Sequence, residues 1–169
     1  LPLPDAVFEF YPNFFHKVHK NLIINHRNME IESHDNLIIK NWNNTVTKRD
    51  IVYLVGDIVM EKPLLLNNYL PKLNGIIRVI GGNHDSPATS NMLYGLNIPI
   101  MGCLNYKGFM VTHIPIHPLE VELFRGNIHG HVHEINTDYG GKYLNVTCER
   151  VNYTPIEFSK LLEKYNYKI

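Results

Sequence analysis

Four short apolar runs in this chain each stop on a side chain able to bind a metal. IVYLV, Ile51 to Val55, runs into Gly56-Asp57, and IIRVI, Ile76 to Ile80, runs into Gly81-Gly82-Asn83-His84-Asp85. FMVT, Phe109 to Thr112, runs into His113, and a further strand leads into Asn127-Ile128-His129-Gly130 and delivers His131 and His133. Runs of this length, rich in branched residues, read as buried strands. Glycines before Asp57, Asn83 and His131 let the backbone turn sharply at the strand ends. In layered α/β sheets, ligands bind in the crevice at the carboxyl ends of the strands. The chain is therefore constrained to a fold in which four strand ends face one place. His131 and His133 alternate, so on a continuing strand both would face the same side.

The remaining elements fit around those strands. Ala6 to Phe10 reads as a first strand. Asp35 to Thr45 carries Leu37, Ile38, Ile39 and Trp42 at helical spacing, with Ser33 or Asp35 near its start. Glu61 to Leu73 reads as a helix that Pro71 ends or bends. Residues 97 to 112 read as β structure, with Tyr106-Lys107-Gly108 as a turn. Lys142 to Thr147 follows a Gly140-Gly141 turn as another strand. Near the end, Thr154 is the expected N-cap, Pro155 the first helical residue and Glu157 the partner in a capping box for IEFSKLLEKY. Trp42 and Leu64-Leu65-Leu66 are expected in the core. Strands mixed with helices indicate an α/β or α+β layered fold, a sheet covered by helices.

Totals narrow the function classes. A length of 169 residues favours one domain, residues 1–169, with a real core. Lys plus Arg equals Asp plus Glu at 16 each. No strongly basic face for nucleic acid or for an acidic membrane is implied. The 2 cysteines, Cys103 and Cys148, are far apart and lack CxxC spacing, which argues against a disulfide framework or a thiolate zinc site. No signal peptide or membrane-spanning run is visible, and a cytoplasmic location is expected. The first residue is Leu and not Met, which leaves the natural start open. The 10 histidines are many for this length, and histidine is the commonest metal ligand and proton shuttle.

The donor set at the strand ends is Asp, Asn and His. Oxygen and imidazole donors without thiolate suit Mn, Fe, Zn or Ni. A carboxylate such as Asp57 can bridge two cations, and two-metal sites clamp phosphoryl groups. The order Gly56-Asp57, Gly82-Asn83-His84-Asp85, His113 within VTHIPIHP, and Gly130-His131-Val132-His133 resembles the calcineurin-like metallophosphoesterase superfamily. The resemblance spans nearly the whole chain. NVTCERVNYTPIEF is similar to the closing strand and helix of small phage and bacterial members.

That resemblance implies a four-layer αββα sandwich, with two mixed sheets flanked by helices, and a dinuclear centre of divalent transition metals, Mn favoured. It implies that Asp57 bridges the metals. Asn83, His113 and His131 would complete one site, and His16 and His133 would serve the other. His84 would contact the substrate phosphate and protonate the leaving oxygen, and Asp85 would orient the His84 ring. The implied activity is phosphodiester hydrolysis by a metal-bound hydroxide. The implied partner is a phosphate-ester small molecule or a nucleotide or nucleic-acid-derived substrate. His117, His129, His26 and His34 carry no specific signal, and His129 should face away from the ligands.

One position departs from the pattern. In Asn13-Phe14-Phe15-His16-Lys17-Val18-His19, His16 and His19 match the family spacing, and Phe14 stands where an aspartate is expected. Two readings stand. His16, Asp57 and His133 still bind a second metal with weaker affinity, and activity persists. Alternatively only one site fills, and the chain is an impaired enzyme or a binding or scaffold protein on the same fold. A purely structural metal site is a third reading.

Overall fold

The computed structural model describes residues 6–8, 31–59, 63–133, 135 and 140–167. Along the chain run β1 (Ala6–Phe8), α1 (Ile31–Thr45), β2 (Ile51–Val55), α2 (Leu66–Tyr69), β3 (Ile76–Ile80) and α3 (Pro87–Gly95). β4 (Ile100–Met101), β5 (Leu104–Tyr106), β6 (Phe109–Thr112), α4 (Pro118–Val121) and β7 (Gly126–His129) follow. β8 (Tyr143–Asn145), β9 (Ile156–Glu157) and α5 (Phe158–Lys164) close the chain.

Two sheets form. The first has the order β4-β3-β2-β1-β9 and the second β5-β6-β7-β8. β1 to β4 are mutually parallel and β9 is an antiparallel edge. β6, β7 and β8 are parallel and β5 is an antiparallel edge. Both sheets are thus mixed, and with the helices they make an α+β layered sandwich. One core cluster draws on both sheets: Leu54 and Ile80 from the first, Phe109, Ile128 and Leu144 from the second. Trp42 from α1 and Leu161 from α5 join the same cluster. Central parallel strands are covered on both faces, which is why β2 reads as an unbroken apolar run and β3 is broken only by Arg78. Trp42 is fully buried, and its indole N–H is satisfied by the Asn74 carbonyl at 2.7 Å.

β2 and β3 have the expected bounds. The turn at Lys107-Gly108 connects β5 to β6 with both residues at positive φ, 51° and 86°, as a two-residue hairpin requires. No disulfide joins Cys103 and Cys148.

Four expectations change. α1 spans Ile31–Thr45, so Asp35 lies inside it and not near its start. The 61–73 run is not one helix: Pro63–Leu65 and Leu70–Lys72 are 3₁₀ segments around the four residues of α2. Pro71 lacks the N–H and would clash with a continuing α turn. Leu64 is exposed, whereas Leu66 is buried. At the other end the capping box does not form. Ile156 and Glu157 pair with β1 as β9, and the helix starts only at Phe158. Covering the edge of β1 takes precedence over the Thr154 cap.

Candidate metal centre

The four candidate ligand segments follow β2, β3, β6 and β7 directly, so both sheets contribute to one crevice. Packing between the two loops of the first sheet is tight. Gly56 has φ +84°, and a Cβ there would lie 2.3 Å from Nδ1 of His113. A Cβ on Gly82 would lie 2.2 Å from Asp57 Oδ1 and 2.3 Å from the Asp57 nitrogen. Both glycines are required by close approach.

Asp57 is buried, with 3% exposure, and sits at φ 51°. Its Oδ1 accepts from the His84 amide at 2.8 Å, and its Oδ2 lies 3.1 Å from Nε2 of His113. Burial alone would raise the Asp57 carboxyl, but His113 and the His84 amide hold it below the ordinary carboxylate range.

His113 is the hub. Its Nδ1 lies 2.8 Å from the Val55 carbonyl, which can only accept, so Nδ1 carries a hydrogen. Three atoms then converge on its Nε2: Asp57 Oδ2 at 3.1 Å and Asn83 Oδ1 at 3.0 Å, which only accept, and His131 Nδ1 at 3.2 Å. In a neutral ring Nε2 is itself a lone-pair atom, so it would face two oxygens that can only accept. A proton or a cation resolves that conflict. Burial pulls His113 down, but the bond to Asp57 and the Val55 carbonyl raise it above the ordinary histidine value, which favours a proton on Nε2 when no cation is bound. Neighbouring ligands around a divalent transition metal with bonds near 2.1 Å lie about 3.0–3.4 Å apart. The three distances to His113 Nε2 match that spacing, and the donor types suit such a cation. Asp57, His113 and His131 all have ligand atoms within 4.8 Å of one another.

His131 arrives by an unexpected route. β7 ends at His129, and His131 and His133 lie beyond it at φ 67° and 50°. They do not alternate along a strand. The chain turns back so that the Gly130 amide donates to the His113 carbonyl at 3.0 Å, which brings His131 onto His113. Non-glycine residues in left-handed backbone cost energy and cluster at functional sites. Asp57, His131 and His133 all adopt it. His131 is lowered from its ordinary value by partial burial and then by the charge of His113.

Asp85 has a different task from the one expected. Its carboxylate accepts from the amides of Asp57 at 2.9 Å, Ile58 at 2.9 Å and Gly82 at 2.8 Å. It ties the loop after β3 to the loop after β2, and no bond to the His84 ring is among these. Burial raises the Asp85 carboxyl in spite of the amides. Asn83 and His84 are exposed at the mouth. His133 is not in the donor group; its Nδ1 lies 3.2 Å from Oε1 of Glu149. His16, His19 and Phe14 lie outside the described residues. His129 is buried, with its Nδ1 2.9 Å from the Gly130 carbonyl. Sequence reasoning missed Glu149, because a single acid after a strand carries no spacing signal. It also missed the Val55 carbonyl, which no side-chain pattern can reveal.

No helix among the described residues is long and apolar enough to cross a membrane. No protein-family model matches the chain. The crystal structure of a protein of unknown function, AQ665 from Aquifex aeolicus, superposes with a TM-score of 0.69 at 20% identity, covering 94% of this chain and 98% of that one. That likeness shows the shared fold. The uncharacterized protein MJ1445 of Methanocaldococcus jannaschii is 33% identical over 162 residues, 88% of each chain. At that identity and coverage, the chain belongs to the family of MJ1445.

Proposed function

We propose that the protein is a metal-dependent phosphoesterase, with a phosphodiester the favoured substrate and Mn²⁺ the favoured cation. The observation that supports it is the convergence of Asp57 Oδ2, Asn83 Oδ1 and His131 Nδ1 on Nε2 of His113, at 3.0–3.2 Å. These four residues would hold one cation. The bound metal would supply Lewis-acid charge and a water made nucleophilic near neutral pH.

The chain's own residues do the rest. Asp57 accepts the His84 amide, so the loop bearing the exposed imidazole is registered on a ligand. His84 would bind the phosphoryl group and give a proton to the leaving oxygen. Asp85 holds the two loops in register through three backbone bonds and acts on the chemistry only through them. Asn83 would orient with its oxygen to the cation. Asn83 and His84 are exposed, so the mouth is open to solvent.

Phe14, in place of an aspartate, supports a second reading: a binding protein on the same fold with little chemistry. Hydrolysis of a chromogenic phosphodiester with added Mn²⁺ separates the two. His84→Ala should lower the rate by about 10²–10⁴. An unchanged rate in that variant would sink the enzyme. Activity that appears only after Phe14→Asp would establish the binding protein.

A further inference from the structure

We propose that Glu149 is a positioning residue for a second cation site, resting on the metal-dependent reading above. It accepts the Nδ1–H hydrogen bond of His133 and so presents Nε2 of that ring as the metal-binding atom. Glu149 Oε1 lies 3.2 Å from His133 Nδ1, with the two side chains 18% and 29% exposed. A carboxylate only accepts, so Nδ1 carries the hydrogen, and in the neutral ring the lone pair is on Nε2. This repeats the device at His113, where the Val55 carbonyl takes the Nδ1 hydrogen and Nε2 faces the donors. A ligand histidine oriented by a carboxylate is also a more basic ligand.

The corner is built for this. The His133 carbonyl accepts from Asn145 Nδ2 at 2.7 Å and from Thr147 Oγ1 at 3.2 Å. Asn145 Oδ1 in turn accepts the Thr147 amide at 2.9 Å. β8 and the turn after it thus hold His133 in its left-handed backbone, and Glu149 comes from that same turn. His131, two residues away, belongs to the first donor set, so a cation at His133 would be its close neighbour. Among the described residues of that set, Asp57 is the sole carboxylate. Two dications need more negative charge than one carboxylate brings, and Phe14 contributes none. Glu149 places a second negative charge beside the second site.

Two measurements test it. Nitrogen-15 histidine spectra of metal-free protein should show His133 as the Nδ1–H tautomer. Glu149→Ala should shift it toward Nε2–H, and Glu149→Gln, which keeps an acceptor oxygen, should retain much of the original tautomer. Equilibrium dialysis against Mn²⁺ should show two equivalents. Glu149→Ala should weaken the second by about ten- to a hundredfold, with a smaller loss in Glu149→Gln and the first unchanged. An Nε2–H tautomer in the wild type overturns the inference. So does equal weakening of both equivalents, or of neither. One equivalent in the wild type overturns it too and leaves the phosphoesterase reading to the His84→Ala assay; no Mn²⁺ uptake overturns both.

Discussion

His113 and His129 stand at the ends of neighbouring strands. Thr112 pairs with His129 in the β6–β7 register, and His113 follows one residue on. Both are buried, at 3% and 0% exposure. Burial pulls both toward the neutral form. For His129 burial prevails: the ring is pushed down to about 4, packed edge-on against Tyr143 with its Nδ1 hydrogen on a carbonyl. For His113 it does not prevail, because Asp57 and the Val55 carbonyl raise the ring above its ordinary value. Burial makes a histidine a core residue. A carboxylate facing its second nitrogen makes it a ring that holds a proton more firmly and, in the function proposed, a place for a cation.

The most severe way to break the His113 side is from beneath. Gly56→Ala puts a methyl group 2.3 Å from Nδ1 of His113 and 2.8 Å from Gly82 Cα, on backbone at φ +84°. Left-handed strain and overpacking together should cost about 4 kcal/mol in chemical unfolding. Mn²⁺ uptake should be lost with it. Wild-type stability in this variant would mean that the loops are not pressed together.

The His129 side is tested by acid. Its folded value is depressed from 6.5 to about 4. Between those values the unfolded chain binds a proton that the folded protein does not. Stability should therefore fall as pH is lowered from 6.5 toward 4, by about 3 kcal/mol over the full window. A His129→Gln variant should lose that slope. A wild-type curve as flat as the variant's would show that the ring is not held neutral.

Asp57→Asn should then erase the contrast. In the metal-free wild type, His113 is raised, so its contribution is fully present below its unfolded value of 6.5 and lost as pH rises through its folded value. Without the carboxylate, burial prevails and His113 should titrate below its ordinary value, with the sign of His129. Proton NMR titration of the ring reads this directly. A His113 value still raised in Asp57→Asn would assign the effect to the Val55 carbonyl.

The same contrast marks how far the sequence could be read. β2 and β3 were legible because a buried parallel strand is an apolar run with glycines at its end. Asp57, Asn83, His113 and His131 were legible because each follows such a run. The His131 approach was not, since a left-handed residue after Gly130 looks no different from a strand continuing. Asp85 was assigned to the wrong partner for a related reason. Its neighbour in sequence is His84, but its carboxylate is spent on amides of Asp57, Ile58 and Gly82, two of which lie on a different loop. The Thr154 cap failed because pairing along the edge of β1 is a tertiary gain that local capping rules do not contain.

His131→Asn probes the smallest difference. His131 packs edge-on against His113 at 5.1 Å and is only half-buried, on backbone at φ 67°. Asparagine is among the residues most tolerant of that conformation. Removing the ring also removes a second imidazole facing His113. Loss of ring contact and relief of strain should nearly cancel, so metal-free stability should change by less than about 1 kcal/mol, toward stabilisation. Mn²⁺ affinity should nonetheless fall by more than the roughly hundredfold typical of a supporting group, because a donor itself is gone. A residue that costs little to remove from the fold and much to remove from the site is held in strained backbone for its chemistry. A stability loss well beyond about 1 kcal/mol would instead place His131 with His129, as packing.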